Sequence, residues 1–122
     1  DLSSYIINVG PVDYNSIDNF YRKVDVLVMP SLLESFSSSY IEAFRYGKPV
    51  LTSDLGFAHA VCGAAAIYFD PLDSQAIADA ILSINNNPIL CSNLVSAGRN
   101  QLSSFPNWDS VIYNFFEVLD DL

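Results

Sequence analysis

The chain has 122 residues, 51% of them hydrophobic, which is enough apolar material for one buried core. Its formal net charge of −9 argues against nucleic-acid binding through a basic surface. Only five Lys and Arg residues are present, so a phosphate ligand must be held mainly by backbone N–H groups or by basic residues outside this chain.

Four short apolar runs predict β-strands, because none alternates cleanly and such runs are typical of parallel strands covered on both faces. They are Tyr5–Val9, Asp25–Met29, Pro49–Ser53 and Ala66–Phe69. Three helical patterns lie between them. The first has Ile17, Phe20, Tyr21 and Val24 on one face and Asn15 or Ser16 as its cap. The second runs from Ser38 to Tyr46 and stops at Gly47. The third is short and covers Phe57–Cys62.

The C-terminal half has a helical pattern throughout. Asp73, Asn87 and Asn107 are the expected N-caps of three helices, with Pro88 in the first turn of the second. The expected inward side chains are Ile77, Ala80, Ile81 and Ile84 in the first helix, Leu90, Leu94 and Ala97 in the second, and Val111, Ile112, Phe115 and Leu119 in the third.

Strands alternating with helices predict an α/β fold, a Rossmann-like parallel sheet with flanking helices and a helical C-terminal half. Ligands of such folds bind outside the carboxyl ends of the strands. The candidate stretches are therefore residues 10–12, 30–38 and 54–57, each of which follows a predicted strand.

The serine-rich stretch 35–39 lies where a strand ends and a helix begins. The free N–H groups and the positive dipole end of that helix form a ready site for an anion such as a pyrophosphate. Glu34 precedes the turn, and Glu42 lies about one turn inside the helix, where a carboxylate can accept from two ribose hydroxyls. A structural alternative stays open for each: Ser39-x-x-Glu42 also fits a capping box, and Glu34 can be a solvated loop acid.

The ordered set of motifs resembles the group 1 glycosyltransferases, in the large family 4 of retaining enzymes with the GT-B fold. It includes "NVGPV", "PSLLESFSS", "EAFRYGKPV", "SDLGFAHAV" and "SFPNWD". The family fingerprint is a glutamate, seven residues and a second glutamate, which Glu34 and Glu42 match. Two departures are clear. Ser35-Phe36-Ser37 replaces a frequent Gly-Phe-Gly, and Ala60 stands where many members have glutamate.

The resemblance implies a role for each site residue. Glu34 is the catalytic candidate and contacts the donor sugar, Glu42 binds the ribose hydroxyls, and Val12 touches the base through its backbone. Backbone groups that face the sugar and the pyrophosphate come from three consecutive residues, Phe36, Ser37 and Ser38.

The resemblance also implies what the protein does as a whole. The expected enzyme is a retaining hexosyltransferase, with mannose as one candidate, that uses a nucleoside-diphosphate sugar and no metal or other cofactor. Its acceptor is a glycan or a lipid-linked acceptor in surface-polysaccharide or lipopolysaccharide synthesis. The expected location is cytoplasmic, with possible peripheral contact at the inner face of the membrane through a domain outside this chain.

Residues 1–122 are expected to form a partial C-terminal donor-binding domain, inactive alone, without the N-terminal acceptor domain and the first strands of its own sheet. The alternative is a non-catalytic α/β module that binds a nucleotide or a partner. Because Tyr5–Val9 is β-prone and uncharged, and nearest the expected cut, we also expect the chain to hide that edge by self-association or by a rearranged N-terminal strand.

Overall fold

The computed structural model describes residues 2–120, with side chains through Leu119. Three parallel strands form one sheet in the order β1-β2-β3: β1 is Leu27–Met29, β2 is Val50–Ser53 and β3 is Ala66–Phe69. The register pairs Leu27 with Val50, and Val50 in turn with Ala66. The α/β prediction is confirmed. Three of the four predicted strands are present, and each observed strand lies within its predicted range.

The predicted strand Tyr5–Val9 is wrong, because these residues form no strand and pair with none of the described ones. Their large apolar side chains are 61–83% exposed. A β-strand needs a hydrogen-bonded neighbour, and nothing in residues 2–120 supplies one at this position. The segment ends in a local turn instead, where Asn8 Oδ1 accepts from the Gly10 N–H at 2.9 Å and Gly10 takes a φ of 66°.

Six α-helices surround and follow the strands in the described part of the chain. They are α1 (Ile17–Tyr21), α2 (Ser38–Arg45), α3 (Gly56–Cys62), α4 (Ser74–Asn85), α5 (Pro88–Ser104) and α6 (Trp108–Asp120). A 3₁₀ turn, Tyr14–Ser16, leads into α1. The predicted stop of α2 is confirmed, since Gly47 follows it with a φ of 64°.

Local capping predictions are confirmed for the three C-terminal helices. Asp73 accepts from two N–H groups of α4, Asn87 from the Leu90 N–H at 3.0 Å, and Asn107 from the Ser110 N–H at 2.8 Å. Ser16, one of the two caps expected for the first helix, occupies the N-cap position of α1, but its side chain makes no capping hydrogen bond. Asp13 caps the preceding 3₁₀ turn, with its Oδ1 2.8 Å from the Asn15 N–H.

The inward face predicted for α6 is wrong. Val111, Ile112, Phe115 and Leu119 are 40–61% exposed. Ile81 of α4 is also exposed, while Ala80 beside it is buried. An apolar stripe is buried only where another element packs on it, and residues 2–120 leave most of the α6 stripe uncovered.

The core has one layer on each face of the sheet. Tyr40 and Phe44 of α2 lie in the larger layer, and Leu51, Phe69 and Ala80 form the smaller one under α4. Gly98 of α5 lets α2 approach closely, because a Cβ there would lie only 2.6 Å from Phe44 Cδ1. This packing fixes the position of α2, which carries the candidate site.

Candidate functional site

The loop after β1 is tied to the carboxyl end of β2 by buried hydroxyl groups. Ser53 donates to the Ser31 carbonyl at 2.7 Å, and Thr52 donates to the Met29 carbonyl at 3.2 Å. Because the Thr52 proton is used in that bond, the Tyr40 hydroxyl donates to Thr52 Oγ1 at 2.7 Å. The start of α2 and the loop before it are therefore held at the carboxyl edge of the sheet, where ligands of such folds bind.

Glu34 is half-buried in this loop. The Ser31 hydroxyl donates to its Oε1 at 3.1 Å, which leaves the second carboxylate oxygen available to a ligand. Burial raises the pKa of Tyr40 in α2 against the opposing Thr52 hydrogen bond, and Cys62 and, least of all, the Glu34 charge add to the rise. The carboxylate therefore has a defined hydrogen-bond partner and lies near the buried start of α2, which differs from a freely solvated loop acid.

The N-terminus of α2 keeps unpaired backbone donors. Ser37 occupies the N-cap position but its side chain makes no capping hydrogen bond; its hydroxyl instead points at Met29 Sδ, 3.9 Å away. Phe36 and Ser38 on either side are exposed. Among the described residues only glycines take a positive φ. Ser35 and Ser37, which stand at the two glycine positions of Gly-Phe-Gly, therefore adopt ordinary backbone angles. The turn can present N–H groups to an anion without glycine.

Glu42 is held by a tyrosine from α1. The Tyr21 hydroxyl lies 3.1 Å from Glu42 Oε2 and 3.4 Å from the Ser39 carbonyl, and its single proton favours the nearer, charged oxygen. Burial first, and then the Glu42 charge and hydrogen bond, raises the pKa of Tyr21 to about 12. The phenol therefore stays protonated and donates to Glu42 throughout the neutral range.

The capping-box interpretation of Glu42 is wrong in this structure. It requires Ser39 as the N-cap, but α2 begins at Ser38, which places Ser39 inside the helix. The carboxylate of Glu42 turns instead toward Tyr21, across the gap between α2 and α1. Its orientation is thus a tertiary contact and leaves Oε1 available to a ligand.

A cavity of about 290 Å³ opens beside Glu42. It lies between the 3₁₀ turn, α1 and α2, and its charged lining consists of Glu42, Arg45 and Asp18. The Tyr46 ring stacks on Tyr21 at a centroid distance of 4.9 Å, and its hydroxyl donates to Asp18 Oδ1. Stacking and hydrogen bonding together fix the wall that faces Glu42.

A second, larger cavity of about 840 Å³ lies at the start of α2. Phe36 and Ser38, two of the predicted donor-binding residues, line it together with Ile41 and with Trp108 from α6. Tyr14 lines both cavities, so they adjoin along α2. Glu42, Phe36 and Ser38 therefore line two adjoining cavities, which together form the groove along α2, while Ser37 and Glu34 line neither of them.

Val12 is not among the residues that line the cavity beside Glu42, where Tyr14 and Asn15 stand instead. Its predicted contact with a base depended on a strand at Tyr5–Val9, which the structure does not contain. The predicted role of Val12 therefore stays a prediction without support from the geometry.

Three residues near Glu42 were not expected from the sequence. Tyr21 belongs to an apolar helical pattern, and Asp18 and Arg45 resemble ordinary surface charges. Tyr21 and Asp18 reach the site only because α1 packs against α2, at a separation of 21 residues in the case of Tyr21 and Glu42. Arg45 lies on α2 itself, three residues after Glu42 and on the same face of the helix.

His59 makes local contacts that account for it without a catalytic role. Its Nε2 lies 2.6 Å from Asp54 Oδ1, and its ring stacks on Tyr68 at a centroid distance of 3.8 Å. Within residues 2–120, no group of three His, Cys, Asp or Glu side chains is placed to hold a metal ion. In the same part of the chain, no helix is long and apolar enough to cross a membrane.

The three-stranded parallel sheet and the groove at the start of α2 define a Rossmann-like α/β domain with a candidate anion site. The family model of the group 1 glycosyl transferases matches residues 1–101. The chain therefore belongs to the group 1 glycosyltransferase family, whose members adopt the GT-B fold.

The proteins to which this chain is similar are named for different products and substrates. It is 30% identical over 105 residues to a glycogen synthase of Mycobacterium tuberculosis, covering 84% of this chain and 25% of that protein. It is 30% identical over 122 residues to a phosphatidyl-myo-inositol mannosyltransferase of Mycobacterium leprae, covering 98% and 32%. The solved sucrose-phosphate synthase of Thermosynechococcus elongatus superposes with a TM-score of 0.85 at 26% identity, covering 98% of this chain and 31% of the other. The chain thus spans about a quarter to a third of these relatives.

Proposed function

We propose that this chain is part of the donor-binding domain of a retaining hexosyltransferase that uses a nucleoside-diphosphate sugar. The observation that carries the proposal is that Glu34 precedes and Glu42 lies within the first turns of α2, whose N-terminus has no side-chain cap, in a chain of this family. The acceptor domain and the first strands of this sheet belong, in this proposal, to sequence outside the 122 residues.

The start of α2 binds the pyrophosphate. The first N–H groups of an α-helix have no partner within the helix, and its dipole is positive at that end. Negative charge develops on the nucleoside diphosphate as it leaves, so donors fixed there lower the barrier. Ser38 supplies the first of these N–H groups, and the backbone of Phe36 and Ser37, just before the helix, faces the sugar and the pyrophosphate. Basic residues outside the chain supply the remaining positive charge.

Glu42 binds the ribose. A carboxylate accepts hydrogen bonds from two adjacent hydroxyls, and the Tyr21 bond to Oε2 holds it in one orientation across the groove. The position one turn into α2 suits a sugar attached to a phosphate at the helix start, since four residues of helix rise ~6 Å.

Glu34 contacts hydroxyls of the transferred sugar and acts in catalysis. In the chain, Glu34 precedes the turn and Glu42 follows it. One carboxylate on each side of the pyrophosphate site matches a ligand with a sugar at each end. The Ser31 hydrogen bond at 3.1 Å fixes one oxygen and leaves the other for the sugar. The hexose is transferred with retention at the anomeric carbon, and no metal takes part.

The proposed acceptor is a glycan or a lipid-linked molecule, bound by the domain outside this chain. Support for a hexose, with mannose as the first candidate, comes from the mannosyltransferase among the relatives. Surface-polysaccharide or lipopolysaccharide synthesis at the cytoplasmic face of a membrane is the proposed setting, which rests on the family resemblance.

The test uses the full-length gene product and a panel of nucleotide sugars, with release of nucleoside diphosphate as the readout. We expect one donor to be consumed, and Glu34→Gln to abolish most of the release while donor binding is retained. Asp79→Asn, a change at an exposed carboxylate on α4, is the matched control and should have no effect. Tight binding of a nucleotide sugar without turnover on any acceptor would instead support the non-catalytic binding module.

A further inference from the structure

One face of α2 forms the floor of the whole groove. Ser38, Ile41, Glu42 and Arg45 fall on this face by the 3.6-residue period, and all four line one of the two adjoining cavities. Their positions along the helix give distances with which the parts of a ligand can be compared. Arg45 lies one turn beyond Glu42, ~4.5 Å further from the helix start.

A nucleoside diphosphate has its parts in a fixed order: phosphates, ribose, base. With the phosphates at Ser38 and the ribose at Glu42, as in the function proposed above, the base extends past Glu42. The cavity of about 290 Å³ lies there, lined by Arg45 and Asp18. It is close to the size of small-molecule sites in proteins, which begin at roughly 300 Å³.

The two charged groups beyond Glu42 are complementary in hydrogen bonding. The Arg45 guanidinium has only donors and makes no hydrogen bond or ion pair with any described residue. Asp18 has only acceptors, and the Tyr46 hydroxyl occupies its Oδ1 and leaves Oδ2 available. A base that satisfies both must present two acceptors on one edge and donors beside them.

Guanine meets this requirement in full, whereas cytosine offers O2 and N3 as acceptors but only one amino group as a donor. The O6 and N7 of guanine are adjacent acceptors that match the fork of an arginine, and its N1–H and N2–H groups are adjacent donors for a carboxylate. Adenine places an amino donor next to N7, where arginine needs an acceptor. Uracil has one N–H between two carbonyl oxygens, so a carboxylate that faces it also meets the negative ends of two carbonyl dipoles.

We propose that Asp18 and Arg45 select a guanine base, so that the donor of this enzyme is a GDP-sugar. The inference rests on the proposed function, because Glu42 must hold the ribose for the base to reach this cavity. Both residues determine specificity, and neither touches the reacting atoms.

The test is equilibrium binding of GDP, UDP and ADP to the full-length gene product by titration calorimetry. We expect GDP to bind at least about tenfold more tightly than the other two, as one good bidentate contact permits. Arg45→Ala and Arg45→Lys should each lower GDP affinity about tenfold, because lysine keeps the charge but loses the fork. Both variants should leave UDP binding within about twofold, which also shows that they fold. Asp18→Asn should have the same selective effect.

Arg22→Ala is the matched control, since Arg22 is an exposed arginine at the end of α1 that lines neither cavity on α2. Equal binding of GDP and UDP, or a GDP preference that survives both Arg45 variants, overturns the guanine inference while the proposed function stands. Failure of all three nucleotides to bind, or binding that Glu42→Gln leaves unchanged, overturns the proposed function itself.

Discussion

The hydrogen bond from Tyr21 to Glu42 makes a quantitative prediction about donor binding. Tyr21→Phe removes one hydroxyl and keeps the buried ring, which is 6% exposed and stacked on Tyr46. A hydrogen bond to a charged acceptor contributes about 1.5–3 kcal/mol. Because Glu42 is only half-buried, water replaces part of the lost bond, so we expect a loss of ~1 kcal/mol, or roughly fivefold in donor affinity.

Glu42→Gln should cost more, because it removes the carboxylate that accepts from the ribose. A loss of about 1–3 kcal/mol corresponds to a rise in Kd of roughly 5- to 150-fold. Tyr21 acts only by orienting Glu42, so the two changes should not add. The double variant should bind nucleoside diphosphate no more weakly than Glu42→Gln alone.

Titration calorimetry on the full-length gene product measures all three affinities. Tyr68→Phe is the control, since the Tyr68 hydroxyl donates to the Gly63 carbonyl at 2.6 Å and burial raises its pKa to about 12 as well. It should leave donor binding unchanged. Because Tyr21 stays protonated far above neutrality, its effect should be constant from about pH 7 to about pH 9. Additive losses in the double variant would show that Tyr21 does not act through Glu42.

Four further predictions concern the rest of the chain. Gly98→Ala should lower the free energy of unfolding by about 1–3 kcal/mol, because the new Cβ would lie 2.6 Å from Phe44; an unchanged Tm would contradict this packing. Cys62 is buried and its pKa is raised to about 12, so alkylation of the native protein followed by peptide mapping should label the partly exposed Cys91 first; equal labelling would refute it. The isolated 122-residue chain should self-associate through its exposed Tyr5–Val9 segment, and a concentration-independent monomer in sedimentation would reject that expectation. Transferase activity of the full-length gene product should survive a chelator, and loss that Mg²⁺ or Mn²⁺ restores would overturn the metal-independent proposal.

The sequence by itself determined the features that depend on neighbours in the chain. Asp73, Asn87 and Asn107 cap their helices as predicted, because a cap bonds an N–H only two or three residues away. The strand Ala66–Phe69 and the stop at Gly47 were also predicted, because a short apolar run and a glycine with positive φ are local signals. The spacing of Glu34 and Glu42 was likewise visible in the sequence.

Tertiary structure alone decided what those elements do. The Glu42 side chain could have capped its own helix, and only the packing of α1 on α2 turns it toward Tyr21. The same packing places Arg45 and Asp18 around one cavity. Conversely, Tyr5–Val9 has a strand-like sequence and forms no strand, because β-structure requires a hydrogen-bonded neighbour that residues 2–120 do not provide. Local propensity selects an element, but contacts between residues far apart in sequence decide whether it is paired, buried or part of a site.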